Sequence, residues 1–152
     1  MVGHDTKDRG KQVLVSIGLR YITPDCFAAG QQAIGVFETN LREAALRIPT
    51  PEKVREVSFF LSFFNPLMRI GDEAAPVAEF SLKQKVYFAP GSMTYEDYLQ
   101  PDWSARIEGV YRVAVEALDA TSRFALPAQL KEELLVALRV AADASHSQPP
   151  RR

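Results

Sequence analysis

Between residues 57 and 64 the chain is apolar at both odd and even positions: Val57, Ser58, Phe59, Phe60, Leu61, Ser62, Phe63, Phe64. A strand with two apolar faces needs cover on both sides, so this run predicts the middle of a sheet. Val54, Val57, Phe60 or Leu61, and Phe64 also fit helical spacing after the helix-start signal Thr50-Pro51-Glu52-Lys53. Four phenylalanines and a valine in eight residues favour one short helical turn followed by a strand. A helix through 50–64 stays open and would remove the centre of the sheet. Asn65-Pro66 stops the run, and a connection containing Gly71, Asp72, Glu73 and Pro76 follows. Then Phe80, Leu82, Val86 and Phe88 take even positions, with Glu79, Ser81, Lys83, Lys85 and Tyr87 between them. Period two with one apolar face predicts a half-buried strand over 79–88. Two runs joined by a reversal predict an antiparallel pair.

The same reading supplies the flanking elements. Val13, Val15, Ile17, Leu19 and Tyr21 alternate with Gln12, Ser16, Gly18 and Arg20, with only Leu14 and Ile22 breaking the pattern, which predicts a strand over 12–22. Thr23-Pro24-Asp25 is a helix start, and Phe27, Gly30, Ile34, Phe37, Leu41, Ala45 and Ile48 form one stripe until Pro49. Residues 89–92, Ala-Pro-Gly-Ser, read as a turn, and 93–99 as a short strand or a bent loop. Asp102 is the expected cap of a helix whose stripe is Trp103, Ile107, Val110, Tyr111, Ala114 and Leu118. Trp103 is expected to pack on the sheet. Thr121-Ser122 breaks that helix, and Pro127 opens a last one with Leu130, Leu134, Ala137, Leu138 and Ala141 inward. The expectation is an α+β fold in the order β-α-β-β-α-α, a small antiparallel-leaning sheet with helices packed on it. Residues 1–11 and 145–152 read as a loose arm and tail around one domain, 12–144.

Composition narrows the functional classes. Apolar residues make up 47% of 152, enough for a core without staples, and the net charge of −1 gives no global pull towards nucleic acid or anionic membrane. A single cysteine, Cys26, forms no internal disulfide, and there is neither a long apolar run nor a visible secretion signal. The cytoplasm is the expected compartment.

Chemistry is sparse. His4 and His146, the two histidines, both fall in the expected tails, which argues against a histidine base or a His-built metal site. Cys26 reads as a buried structural thiol. The spacing Gly30–Gly35 lacks the Lys-Ser/Thr of a phosphate loop and falls inside a helix. Lys83, Lys85 and Tyr87 read as a solvated strand face and not as a base-stacking surface. No catalytic, cofactor-binding or metal-binding residue is expected. Adjacent acids at Asp72-Glu73 and at Glu96-Asp97, the latter flanked by Tyr95 and Tyr98, are surface-turn residues or a partner-binding surface.

The run from Ile70 to Pro76, continuing through Phe80 to Val86, resembles a segment of small bacterial immunity proteins of polymorphic toxin systems. The strand, long helix, central strands, Tyr/Asp segment Tyr95-Glu96-Asp97-Tyr98 and closing helices are similar in layout. The resemblance implies a cytoplasmic, non-catalytic protein that binds a cognate toxin domain and occludes it, with no nucleic-acid or membrane partner. Partner contact is then expected at Asp72, Glu73, Tyr95, Glu96, Asp97 and Tyr98. The alternative is a small-ligand binder or enzyme with a pocket between helix and sheet, using Tyr21, Tyr111, Arg20 or Arg112.

Overall fold

The computed structural model describes residues 12–20, 24–50, 54–64, 79–94, 101–119 and 126–148. Along the chain they form β1 (Leu14–Arg20), α1 (Pro24–Ala45), β2 (Glu56–Phe64), β3 (Glu79–Ser81), β4 (Val86–Thr94), α2 (Trp103–Leu118) and α3 (Ala128–His146). The fold is α+β, as the pattern predicts, with one sheet in the order β1-β2-β4-β3. The aromatic run 57–64 is strand, and it lies inside the sheet between β1 and β4.

The antiparallel lean needs correction, because the sheet is mixed. β1 runs parallel to β2, and β2 parallel to β4, while β3 and β4 are antiparallel. The cause is a second reversal inside the expected strand 79–88. Leu82–Lys85 is a turn, so β3 and β4 form a hairpin and β4 regains the direction of β2. Lys85 closes that turn in the left-handed region, at φ 58°, which costs a non-glycine residue on the order of 1 kcal/mol. Its amide donates to Ser81 O, and its carbonyl accepts from the amides of Arg55 and Glu56, which hold it there.

The extra turn also changes which residues are inside. Leu82, expected on the core face, is 83% exposed at the hairpin tip, while Tyr87, expected outside, is buried. Val57, Phe59 and Leu61 are fully buried, and Tyr87 and Ala89 lie beside Val57 and Phe59 in register on the same face. On the opposite face Leu14 is more than half exposed, and Ser16 Oγ sits 3.3 Å from Glu56 Oε2 and 3.2 Å from Ser58 Oγ. The side chains of Phe60 and Phe63, expected to be buried, lie outside what is described.

The expected turn at 89–92 is the interior of β4 instead. Pro90 is tolerated because of its position. The Lys85 carbonyl points to β2, so by alternation the Pro90 nitrogen points to the other edge, beyond the last β3 pair Glu79↔Phe88. Gly91 leaves room for α2: a Cβ built there would stand 2.5 Å from Val113 Cγ1 and 2.9 Å from Leu61 Cδ2.

Three helices complete the domain among the described residues. α1 packs on β1, α2 packs on β4 and β2, and α3 packs on both helices. The α1 stripe is buried at Ile34, Phe37, Leu41 and Ala45, and the α3 stripe at Leu130, Leu134, Ala137, Leu138 and Ala141. Asp102 caps α2 as expected, its carboxylate accepting from the Ala105 amide at 3.1 Å. The edge strand β1 is closed by α1 and the residues after it. Val13 N donates to Ile48 O, Arg42 Nε donates to Val15 O, and Ile17 N donates to Glu38 Oε2 at 2.7 Å. With those groups occupied, β1 offers a poor template to another strand.

The start of the expected tail is also corrected. α3 continues to His146, Ser145 is fully buried, and Ser147 and Gln148 close the helix. The expected arm 1–11 lies outside the described residues.

Candidate functional site

Asp72, Glu73, Tyr95, Glu96, Asp97 and Tyr98 all lie outside the described residues, as do Tyr21 and the Thr121-Ser122 break. The strands that carry these segments are described. Phe64, the last residue of β2, pairs with Thr94, the last of β4, and Arg20, the last of β1, pairs with Ser62. Three parallel strands therefore release the chain at one end of the sheet. The chain enters β3 heading away from that end, because β3 is antiparallel to β4. The connection bearing Asp72 and Glu73 and the one bearing Tyr95 to Tyr98 are thus both anchored at the carboxyl end of the parallel strands. In open sheets of parallel strands this is the end where binding residues collect.

Of the residues offered for a helix–sheet pocket, Arg20 ends β1 with its side chain outside what is described, and Tyr111 and Arg112 part company. Arg112 is on the exposed side of α2. Tyr111 is half-buried towards α3, with the Arg139 guanidinium 4.5 Å from its ring centroid.

A polar cluster between α2 and α3 escaped the sequence reading. Glu108 Oε2 meets His146 Nε2 at 2.7 Å and Arg139 Nη2 at 3.2 Å, and Arg139 also donates to Asp143 Oδ1 at 2.7 Å. Glu108 therefore pairs across helices, from α2 to two residues of α3. Arg139, Asp143 and His146 share a face of α3 by their spacing of four and three, the one signal available in sequence. Placing His146 in a tail hid it. The end of α3 is tied down further: Trp103 Nε1 donates to Ser145 O at 2.8 Å, and Asn40 Nδ2 donates to Ser145 Oγ and Gln148 Oε1, each at 3.0 Å. Trp103 thus satisfies a helix-terminal carbonyl of α3, with its side chain half-buried against the core.

The hydrogen bond from His146 is the main effect holding the Glu108 carboxyl below the usual glutamate range; burial opposes it, and the Arg139 guanidinium adds to the lowering. A depressed folded-state pKa stabilises the fold above the unfolded value, and that contribution is lost as pH falls through the folded one. Glu108 is about half exposed, so the effect is small. Glu108→Gln is expected to cost about 1 kcal/mol or less at pH 6.5, and the deficit should fade below pH ~4. Urea unfolding at both pH values checks this; an equal deficit at both would show that the ionised carboxylate is irrelevant.

Every partner in this cluster is internal, which makes it an interhelical clamp. Among the described residues, no three of His, Cys, Asp and Glu converge in a way that would hold a metal ion. No helix among them is long and apolar enough to cross a membrane. Comparison of the chain with protein-family models, with curated proteins and with solved structures found no match.

Proposed function

We propose that this chain is an immunity-type binding protein that neutralises a cognate bacterial toxin domain by occluding it, in the cytoplasm and without catalysis. Asp72, Glu73, Tyr95, Glu96, Asp97 and Tyr98 supply the contact. The observation that supports this reading is the register Phe64↔Thr94, which anchors both segments at one end of the sheet. Acids steer a basic partner, and tyrosines add contact area at little entropic cost. Helices α1, α2 and α3 supply a packed scaffold behind that end. The bonds to Val15 O and Ile17 N make the β1 edge a poor site for strand addition by the partner.

The test is binding kinetics against the product of the neighbouring gene, at two ionic strengths. Reversing Asp72 and Glu73 together to lysine is expected to slow association by about tenfold at low salt, and to flatten its salt dependence. Thermal stability should change by less than about 0.5 kcal/mol, as for exposed surface charges. Unchanged kinetics would move the interface off these residues. Failure of the unmutated protein to bind would end the immunity reading.

A further inference from the structure

The opposite end of the sheet carries a second surface. Backbone hydrogen bonds set its members side by side: Val13 N to Ile48 O, Leu14 N to Arg55 O, and Arg55 N to Lys85 O. At strand spacing, three such steps make a row about 15 Å wide. Arg47, Arg55 and Lys83 stand exposed along it, with no carboxylate partner among the described residues. Among the described residues the acids nearest to it in the chain are Glu56, which faces Ser16, Glu43 in the last turn of α1, and Glu79 at the start of β3. At the end of the row projects Leu82, the most exposed large apolar side chain described.

The turn that presents Leu82 is held firmly. Lys85 N donates to Ser81 O at 2.7 Å, Gln84 N to Ser81 Oγ at 3.2 Å, and Lys85 keeps its left-handed backbone through two bonds to the start of β2. Strain retained by surrounding bonds at an exposed tip marks a shape worth keeping. Of the aromatic residues flanking the turn, Tyr87 is buried and Phe80 packs half-buried against the core, so among the described residues no exposed ring offers nucleic-acid bases a platform at the tip.

We infer that this amino end docks on an anionic lipid surface, with Leu82 entering the interface and Arg47, Arg55 and Lys83 meeting lipid headgroups. A shallow row of cations with one protruding aliphatic group matches a plane and not a groove. The overall charge of −1 does not oppose this, because attraction acts locally within a Debye length of about 10 Å. The surface lies at the end of the strands opposite Phe64 and Thr94.

The experiment is co-sedimentation of the full chain with vesicles of phosphatidylcholine alone, and of phosphatidylcholine mixed with phosphatidylserine. Binding is expected with phosphatidylserine alone, and loss of it at high salt. Each cation near an anionic leaflet is worth about fivefold in partition, so Arg55→Glu with Lys83→Glu should reduce binding by more than about 25-fold. Leu82→Ser should reduce it by about tenfold, through lost apolar burial. All three side chains are exposed, so thermal melts should be unchanged and will separate misfolding from lost binding. Equal sedimentation with neutral vesicles, or none with either, would overturn the proposal. So would a neutral Leu82→Ser result accompanied by equally tight binding to duplex DNA, which would mark a general polyanion site.

Discussion

Truncating Phe59 to alanine is expected to remove about 3–5 kcal/mol of stability, the range for a large aromatic taken from a packed core. Phe59 is fully buried in the middle of β2, between Ile17 of β1 and Ala89 of β4 in register. It lies on the face covered by α1 and α2, where a cavity is fenced by two helices and two strands and collapses poorly. Its neighbour Ser58 points to the other face, so Ser58→Ala should cost under about 1 kcal/mol. Equilibrium urea unfolding of both variants reads the contrast. Since a domain has only about 5–15 kcal/mol in total, the Phe59 variant should be measured at low temperature to keep a folded baseline. Similar small costs at both positions would mean that the helices do not cover the 57–59–61 face.

Gly91 is the second large effect, and it comes from adding atoms. Ordinary backbone geometry holds there, so the constraint is space: the new Cβ would meet Val113 Cγ1 at 2.5 Å, Leu61 Cδ2 at 2.9 Å and the Val113 carbonyl at 3.3 Å. Gly91→Ala is expected to cost about 1–3 kcal/mol, and Gly91→Val more, as α2 is forced off β4. The Val113 methyl is the nearest obstacle, so combining Gly91→Ala with Val113→Ala should recover part of the loss. The coupling between the two should exceed about 0.5 kcal/mol in a double-mutant cycle. Additive losses would place α2 farther from β4 than the 2.5 Å contact implies.

Element types were legible in the sequence where one periodicity ran long enough. The stripes of α1, α2 and α3 repeat every three or four residues over several turns, and a helix can bury such a stripe in only one orientation. Asp102 was readable because a cap is a local hydrogen bond. The run 57–64 was readable as strand because β-branched and aromatic residues crowd it. The acid and tyrosine segments stood out as candidates by composition, and their attachment to one end of the sheet needed the register of β2 on β4. Strand direction was not legible. Period two survives a tight turn when even-numbered positions on both sides stay apolar, so Phe80, Leu82, Val86 and Phe88 concealed a hairpin whose turn contains Leu82. Pro90 and Gly91 read as a turn because their local preferences are strong. A position beyond the last described β3 pair and a helix in close contact made them strand. The Glu108–Arg139–His146 clamp joins residues from two helices, and nothing local demands it. The chain itself determined which segments are helix and strand, since that depends on neighbours within a few residues. Only the tertiary structure decided the mixed strand directions, the exposed tip at Leu82 and the clamp on α3, because each depends on contacts between residues far apart in the chain.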